Sequence, residues 1–164
     1  MPYIKSTDLN SPLCLGNLSR TSHIIAKKYR RSEVAPCDIV FSLRGNIGVT
    51  QIVPEEVRVA NLTQGTTRIS SKGLAKFYLQ SLASQAVRDN VSAVSEGSTL
   101  REISLYDLRK IHLRRPDLAK QQRISAGLTA LDTQITAQAA QIESLQTHKR
   151  GLMQQLFPST GDAT

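Results

Sequence analysis

Residues 117–157 read DLAKQQRISAGLTALDTQITAQAAQIESLQTHKRGLMQQLF, and this stretch decides the fold. It contains no proline, although prolines stand directly before and after it, at positions 116 and 158. Proline is tolerated at the start of a helix and interrupts one elsewhere. The stretch therefore predicts a single helix of about 40 residues, which at 1.5 Å per residue is roughly 60 Å long.

Apolar residues recur along this helix with alternating spacings of three and four. Of the eleven a and d positions between 121 and 156, eight are leucine or isoleucine. An unbroken 3.5-residue repeat is typical of a coiled coil, so we expect the helix to pair with another helix, such as that of a second copy. The alternative is a helix folded back on its own domain. The expected seam consists of Ile124, Leu128, Leu131, Ile135, Gln138, Ile142, Leu145, Leu152 and Leu156.

Gln138 interrupts the apolar seam near its midpoint. A polar residue at such a position costs stability and fixes the register of a coiled coil. In an antiparallel pair of identical helices the midpoint residues meet at the two-fold axis. We therefore expect the two Gln138 side chains to hydrogen-bond to each other there.

The preceding residues, 1–116, follow a different pattern that predicts a mixed α/β domain. Runs rich in β-branched residues at 38–43, 46–53, 57–62 and 66–70 predict strands, the first two joined by a turn at Arg44-Gly45. Residues 74–89 have helical spacing, Ser104 and Asp107 form a capping box for a short helix, and residues 111–114 alternate like a strand. The predicted fold class is α+β: a mixed α/β domain (1–116), one long coiled-coil helix (117–158) and a disordered tail (159–164).

The positive charge lies outside the long helix. The net charge of the 164 residues is +8; residues 1–120 hold 18 lysines and arginines against 10 acids, and residues 121–164 hold three of each. A one-sided excess of this kind suggests a polyanion partner, most often nucleic acid, and the alternative is a solvated basic surface. The candidate DNA-binding residues are Arg20, Lys27, Lys28, Arg30, Arg31, Arg44, Arg114 and Arg115.

No motif predicts catalysis, so we expect a binding protein without metal or cofactor of its own. Glycine-rich phosphate loops and zinc-protease motifs are absent, and the two cysteines are too few for a disulfide framework. Asp38 with Glu55 leaves a small metal-dependent nuclease as a minor alternative. Without a run of 18 apolar residues or a signal peptide, the sequence predicts a cytoplasmic protein that does not cross a membrane.

Four segments together resemble one half of a type I restriction-modification specificity subunit. They are MPYIKSTDL (1–9), APCDIVFSLRGNIG (35–48), residues 97–113 and HKRGLMQQLFP (148–158). The second resembles the family's "GDil.s.rG.iG" pattern, and the fourth is the most specific. The sequence departs from the family in two places. The helix entry, RPDLAKQQ (115–122), lacks a second proline, and the domain starts without the opening segment that usually precedes the family's "pyi" pattern.

The resemblance implies a target recognition domain that reads one half-site in double-stranded DNA. Modification subunits using S-adenosylmethionine would methylate adenine, and an ATP- and magnesium-dependent restriction subunit would cut; the specificity subunit itself has no catalytic residues. A half-subunit would form a homodimer through its helix and read an interrupted palindrome. The alternative is a structural adaptor or remnant half-subunit that docks other subunits through the coiled coil without reading DNA.

Overall fold

The computed structural model describes residues 1–71, 74–95 and 102–157. The chain divides into two compact units, Met1–Ser125 and Ala126–Thr164. The tail expected to be disordered, 159–164, lies outside the described residues. The strands of the described part are β1 Pro2–Ile4, β2 Ser19–Arg20, β3 Glu33–Val34, β4 Ile39–Ser42, β5 Thr50–Ile52, β6 Ala60–Leu62 and β7 Thr66–Ile69. Its α-helices are α1 His23–Lys28, α2 Ala75–Leu82, α3 Gln85–Ser95, α4 Leu105–Leu108 and α5 Leu118–Leu156.

A four-stranded sheet has the strand order β2-β1-β6-β3. β1 and β6 are parallel, and the outer strands are antiparallel to their neighbours. Ile4, Val34 and Ala60 are buried together on one face. Because side chains alternate between the faces of a strand, Tyr3 and Asn61, which pair across β1 and β6, belong to the opposite face. This second face positions the candidate site.

A three-stranded antiparallel sheet, with the order β5-β4-β7, builds the second core. All four residues of β4 are buried, which explains why Ile39, Val40 and Phe41 are apolar without alternation. Phe41 of β4 belongs to the same hydrophobic cluster as Leu82 of α2, Val91 of α3 and Ile103. The helices α2 and α3 therefore complete this core.

The connection between β4 and β5 is longer than the predicted turn at Arg44-Gly45. The strand β5 begins only at Thr50, because the carbonyl of Ser42 accepts from Gly48 N (3.0 Å) and not from Val49 N, which interrupts the regular pairing. Gly45 and Gly48 both have positive φ, 73° and 87°, which bends the chain twice within the loop. The predicted strand pair is present, but residues 46–49 belong to its loop.

Two other predictions differ from the structure. Residues 111–114 are not a strand: Ile111 and Leu113 are half-buried against the second core, but the segment has no regular hydrogen bonding. The predicted helix 74–89 is two helices, since α2 ends at Leu82 and α3 begins after Ser84, whose carbonyl accepts from Arg88 N at 3.0 Å. Serine is favoured directly before a helix, which accounts for the break.

The long helix α5 confirms the central prediction, and the α+β class is correct. Asp117 caps its start, as the Oδ1 atom accepts from Lys120 N at 2.9 Å. In its first turns Gln121 and Ser125 are buried, and Gln121 Nε2 donates to the carbonyl of Pro116 (2.7 Å). Among the described residues no helix combines the length and hydropathy needed to cross a membrane.

Candidate nucleic-acid interface

The basic helix α1 is short, and its two ends are defined by local hydrogen bonds. Ser22 Oγ accepts from Ile25 N at 3.3 Å and begins the helix, as N-cap serines do. Lys27 and Lys28 occupy the last turn, where positive charge is favourable at the negative end of the helix dipole. A 3-10 turn, Arg30–Ser32, continues the chain and adds two arginines. Four cations therefore follow within five positions.

No acidic residue lies between the cations of this region in the sequence. Residues 9–32 contain five lysines and arginines and no aspartate or glutamate. Each of the five is exposed, and none forms an ion pair with another residue of the described ranges. Uncompensated cations on one segment create the positive potential that binds phosphates. They are Arg20, Lys27, Lys28, Arg30 and Arg31.

A buried asparagine on the sheet anchors this basic segment. Asn61 of β6 is only 4% exposed. Its Nδ2 atom donates to the carbonyl of Tyr29 at 3.0 Å, to Ser32 Oγ at 3.2 Å and to the carbonyl of Ala26 at 3.4 Å. These acceptors lie at the end of α1 and in the turn after it. Asn61 thus satisfies helix-terminal carbonyls and fixes the basic segment on the second face of the four-stranded sheet.

An open cleft of about 470 Å³ lies beside α1. Its walls come from β1, β2, β6, α1 and the turn between β6 and β7. Among the described residues, Arg20 is the one predicted DNA-binding residue that lines it, and none of the acidic ones does. The lining residues are Tyr3, Arg20, Thr21, Ile25, Ala26, Tyr29, Asn61, Leu62, Thr63 and Gln64.

Asn61 and Gln64 also line this site, although neither was predicted from the sequence. Gln64 stands in a polar Thr-Gln-Gly-Thr segment between two predicted strands, and that turn signal could have drawn attention to it. Asn61 lies within a predicted strand, where its sequence context resembles any half-buried polar position. Its role depends on contacts with residues about 30 positions away.

Arg44 differs from the other candidates because it has an acidic partner. Its Nε atom lies 2.7 Å from Glu102 Oε2, and the two residues also form an isolated antiparallel β-bridge. The Arg44 stem packs against Gly65, where an added Cβ would lie 3.4 Å from Arg44 Cβ. The ion pair offsets the charge of Arg44 and ties the β4–β5 loop to the segment before α4.

Arg114 and Arg115 line a groove that is separate from the cleft beside α1. This groove, of about 750 Å³, has apolar walls that include Phe77 and Val87, and it is also lined by His112, Lys120 and Ile124. Leu113 and Pro116, on the chain segment that enters α5, also line the groove. The predicted basic residues therefore form two separate groups and one paired arginine, Arg44.

Of the two acids in the alternative nuclease hypothesis, Asp38 has structural partners. Asp38 Oδ2 accepts from Ala35 N at 2.9 Å and lies 3.9 Å from Arg68 Nη1. Glu56, next to Glu55, accepts from Leu15 N at 2.8 Å. Within residues 1–71, 74–95 and 102–157 there is no group of three or more His, Cys, Asp or Glu residues placed to hold a metal ion.

The seam of α5 is uncovered in the single chain. Exposure is 36% at Ile124 and 37% at Leu128, and it rises to 66% at Ile135 and 70% at Leu156. Gln138 is exposed as well. A row of exposed leucine and isoleucine side chains along one helix is typical of surfaces that pack against another helix.

Comparison with known proteins places these features in a family. The family described as Type I restriction modification DNA specificity domain matches residues 1–147. No curated protein sequence matches this chain at a significant level. Among solved structures, one on complex assembly and conformational transition of the type I R-M system contains a chain with a TM-score of 0.61 and 19% identity. The match covers 91% of this chain and 35% of that one.

A second similar structure is the HsdS subunit from Thermoanaerobacter tengcongensis. Its TM-score is 0.56 at 17% identity, and the match covers 84% of this chain and 31% of that subunit. The chain thus spans about a third of the length of the solved structures it matches. The match over residues 1–147, with the fold that accompanies it, shows that the chain belongs to the type I restriction-modification DNA specificity domain family.

Proposed function

We propose that this chain recognises a DNA sequence as the specificity component of a type I restriction-modification complex. The observation that carries the proposal is the acid-free basic segment at residues 9–32, whose cations are exposed and whose position is fixed by Asn61. Membership of the specificity-domain family supports it. The activity belongs in the cytoplasm, where DNA and the partner subunits are available.

In this proposal the cations of α1 and the following turn bind phosphates of double-stranded DNA. Four phosphate contacts predict that log K falls with log salt with a slope of about −3.6. Between 50 and 200 mM salt the affinity would then fall roughly 150-fold. Such contacts orient the protein on the duplex without reading sequence. They are assigned to Lys27, Lys28, Arg30 and Arg31.

Two copies of the chain pair in an antiparallel coiled coil through the seam of α5. Full burial of a leucine or isoleucine contributes roughly 1.5–3 kcal/mol, so covering the half-exposed seam on two helices contributes on the order of 15 kcal/mol. Association costs roughly 4–15 kcal/mol, so the dimer is favourable without being very tight. The two Gln138 side chains set the register, and the paired domains read two equivalent half-sites.

The modification and restriction subunits are the proposed protein partners. They supply S-adenosylmethionine, ATP and magnesium, methylate adenine and cut DNA, whereas this chain directs them to the target. Mapping methylated adenines in cells that carry this chain with its cognate modification subunit tests the proposal. A split, symmetric motif is expected. Methylation without any sequence motif would contradict it.

A second candidate function is that of an adaptor that docks other subunits without reading DNA. The groove beside the entry to α5 favours it, because apolar walls next to Arg114, Arg115 and Lys120 suit an acidic, partly apolar protein surface. Equilibrium binding to random and selected duplexes separates the two functions. An adaptor shows only salt-dependent binding without a preferred sequence.

A further inference from the structure

We propose that the groove beside the entry to α5 binds the C-terminal end of α5 from a second copy of the chain, with Leu156 as the side chain that enters it. The inference rests on the proposed antiparallel pairing of two copies and adds a contact at each end of the coiled coil. All residues that line this groove of about 750 Å³ belong to the unit Met1–Ser125. Leu156 is the last residue of α5 and is largely exposed.

The seam lacks an apolar residue at the start of α5. The first of its apolar residues is Ile124, and the a position before it is Gln121. The Gln121 side chain is buried in its own copy and donates to the carbonyl of Pro116 at 2.7 Å. It therefore offers no apolar surface to a partner helix. A helix that extends past Ile124 needs apolar contacts from outside the seam.

The groove supplies apolar surface at this point. Ile124 belongs to the groove as well as to the seam, so the two surfaces are continuous. Phe77 of α2, Val87 of α3 and Leu113 extend the apolar lining away from α5. Burial of an exposed aliphatic side chain against such a surface is favourable. A leucine of the second copy that enters the groove would therefore stabilise the pair.

In the antiparallel register the end of the partner helix lies at the groove. With the two Gln138 side chains at the two-fold axis, each residue lies level with the residue that is equally far from Gln138, in the opposite direction, on the other helix. Leu156 lies 18 positions after Gln138, and Lys120, which lines the groove, lies 18 positions before it. In a parallel pair the two would be roughly 54 Å apart along the axis. The groove therefore fits the end of an antiparallel partner.

Charge complementarity favours the same occupant. The last turn of α5, residues 153–156, contains no lysine or arginine, and Pro158 has no amide to donate to the helix. The negative end of this helix dipole therefore lacks a cation in its own last turn. Arg114, Arg115 and Lys120 line the groove, are exposed and form no ion pair with another described residue. Basic side chains donate to the last carbonyls of a helix, so these cations complement the end of a second copy.

Cross-linking between two different variants of the full chain tests the contact. Both carry Cys14→Ser and Cys37→Gly, which remove the exposed native cysteines. One adds Ala86→Cys at an exposed position that lines the groove, and the other adds Gln155→Cys in the last turn of α5. With a short bismaleimide we expect a covalent heterodimer only when the two are mixed. In the matched control Ala93→Cys, an exposed position two turns along α3 and outside the described lining of the groove, replaces Ala86→Cys and should link far less.

Filling the groove tests its contribution to the affinity of the dimer. Ala86→Trp puts an indole ring into the groove, so we expect the dissociation constant of the dimer to rise about tenfold. Sedimentation over a concentration series measures this constant. Ala93→Trp makes the same change on the same helix outside the groove and should leave the constant unchanged. An unchanged constant in Ala86→Trp, or equal cross-linking at positions 86 and 93, would overturn the inference.

The outcomes separate this inference from the proposed function. If the chain dimerises and directs methylation to a split, symmetric motif while the groove variants have no effect, the groove contact is wrong and DNA recognition stands. If Ala86→Trp leaves the dimer intact but abolishes binding of the modification subunit, the groove serves the adaptor function and this inference is wrong. A wild-type chain that stays monomeric overturns the inference together with the proposed pairing, whereas DNA recognition is then judged from the methylation map alone.

Discussion

Asn61 on β6 donates a 3.0 Å hydrogen bond through its Nδ2 atom to the carbonyl of Tyr29, one residue beyond the end of α1. The same amide group also reaches Ala26 and Ser32. One buried side chain thereby connects the sheet to the segment that carries Lys27 through Arg31. The stability of the fold and the placement of the proposed DNA contacts are coupled at this position.

Replacing this donor tests the coupling. In Asn61→Asp a carboxylate oxygen faces carbonyl oxygens in a buried site, so we expect the free energy of unfolding to fall by about 2–3 kcal/mol. Non-specific DNA affinity should fall as well, because the basic segment loses its anchor. Denaturant unfolding and duplex titration measure the two effects. Asn90→Asp, on the exposed surface of α3, is the matched control and should change stability by less than about 0.5 kcal/mol.

A cysteine occupies a backbone conformation that favours glycine. Cys37 has φ of 68° in the turn before β4, at the position where the family pattern has glycine. We expect Cys37→Gly to stabilise the chain by about 1 kcal/mol, because the left-handed conformation strains a side chain but not glycine. The matched change, Cys14→Gly, replaces a residue with φ of −135° and should be destabilising. Equal shifts in the unfolding midpoint for both variants would contradict this explanation.

The carboxyl group of Asp107 in the first turn of α4 gives a pH-dependent prediction. The hydrogen bond from Lys110 Nζ (2.9 Å), followed by that from Ser104 Oγ (2.7 Å), lowers the pKa of Asp107 below its usual value. A lowered pKa in the folded state contributes stability that is present above the unfolded pKa and lost as pH falls through the folded pKa. Lys110→Ala should therefore raise the pKa of Asp107, as followed by NMR titration of its carboxyl group. An unchanged titration would show that Ser104 alone sets it.

Local signals in the sequence were sufficient for part of this structure. The N-cap serine of α4, Ser104, and the start of α5 at Asp117 depend on residues three positions apart, and both were predicted. The apolar run of β4 was recognised because a fully buried strand needs no polar partner face. These elements have short-range causes, which a single sequence contains.

Tertiary contacts determined what the sequence could not supply. The pairing of Arg44 with Glu102 joins residues far apart in the chain. The sequence around Arg44 therefore does not indicate that this arginine has an acidic partner. The alternation at 111–114 correctly indicated which side chains face the core, but a strand also needs a neighbouring strand edge, and none pairs with it in the described part of the chain. The clamp by Asn61 has the same origin.

The lysines at the end of α1 are predicted to bind phosphates rather than bases. Lys27→Ala with Lys28→Ala should weaken binding to every duplex and reduce the slope of log K against log salt by about 1.8. Titrations at several salt concentrations measure that slope. Lys76→Ala, an exposed lysine of α2, should leave it unchanged. A changed sequence preference in the double variant would instead make these lysines base-reading residues.

The exposed seam of α5 is predicted to hold two copies of the chain together. Leu145, which is 61% exposed in the single chain, occupies a d position. In Leu145→Asp the coiled coil would have to bury a carboxylate on each helix, which costs several kcal/mol per charge. We therefore expect the dissociation constant of the dimer to rise at least tenfold. Analytical ultracentrifugation over a concentration series measures this change. Ala140→Asp places the same charge on the outer side of the helix and should leave the association constant nearly unaltered. An equal loss in both variants would contradict pairing through the seam. A wild-type chain that stays monomeric at every concentration would contradict it as well.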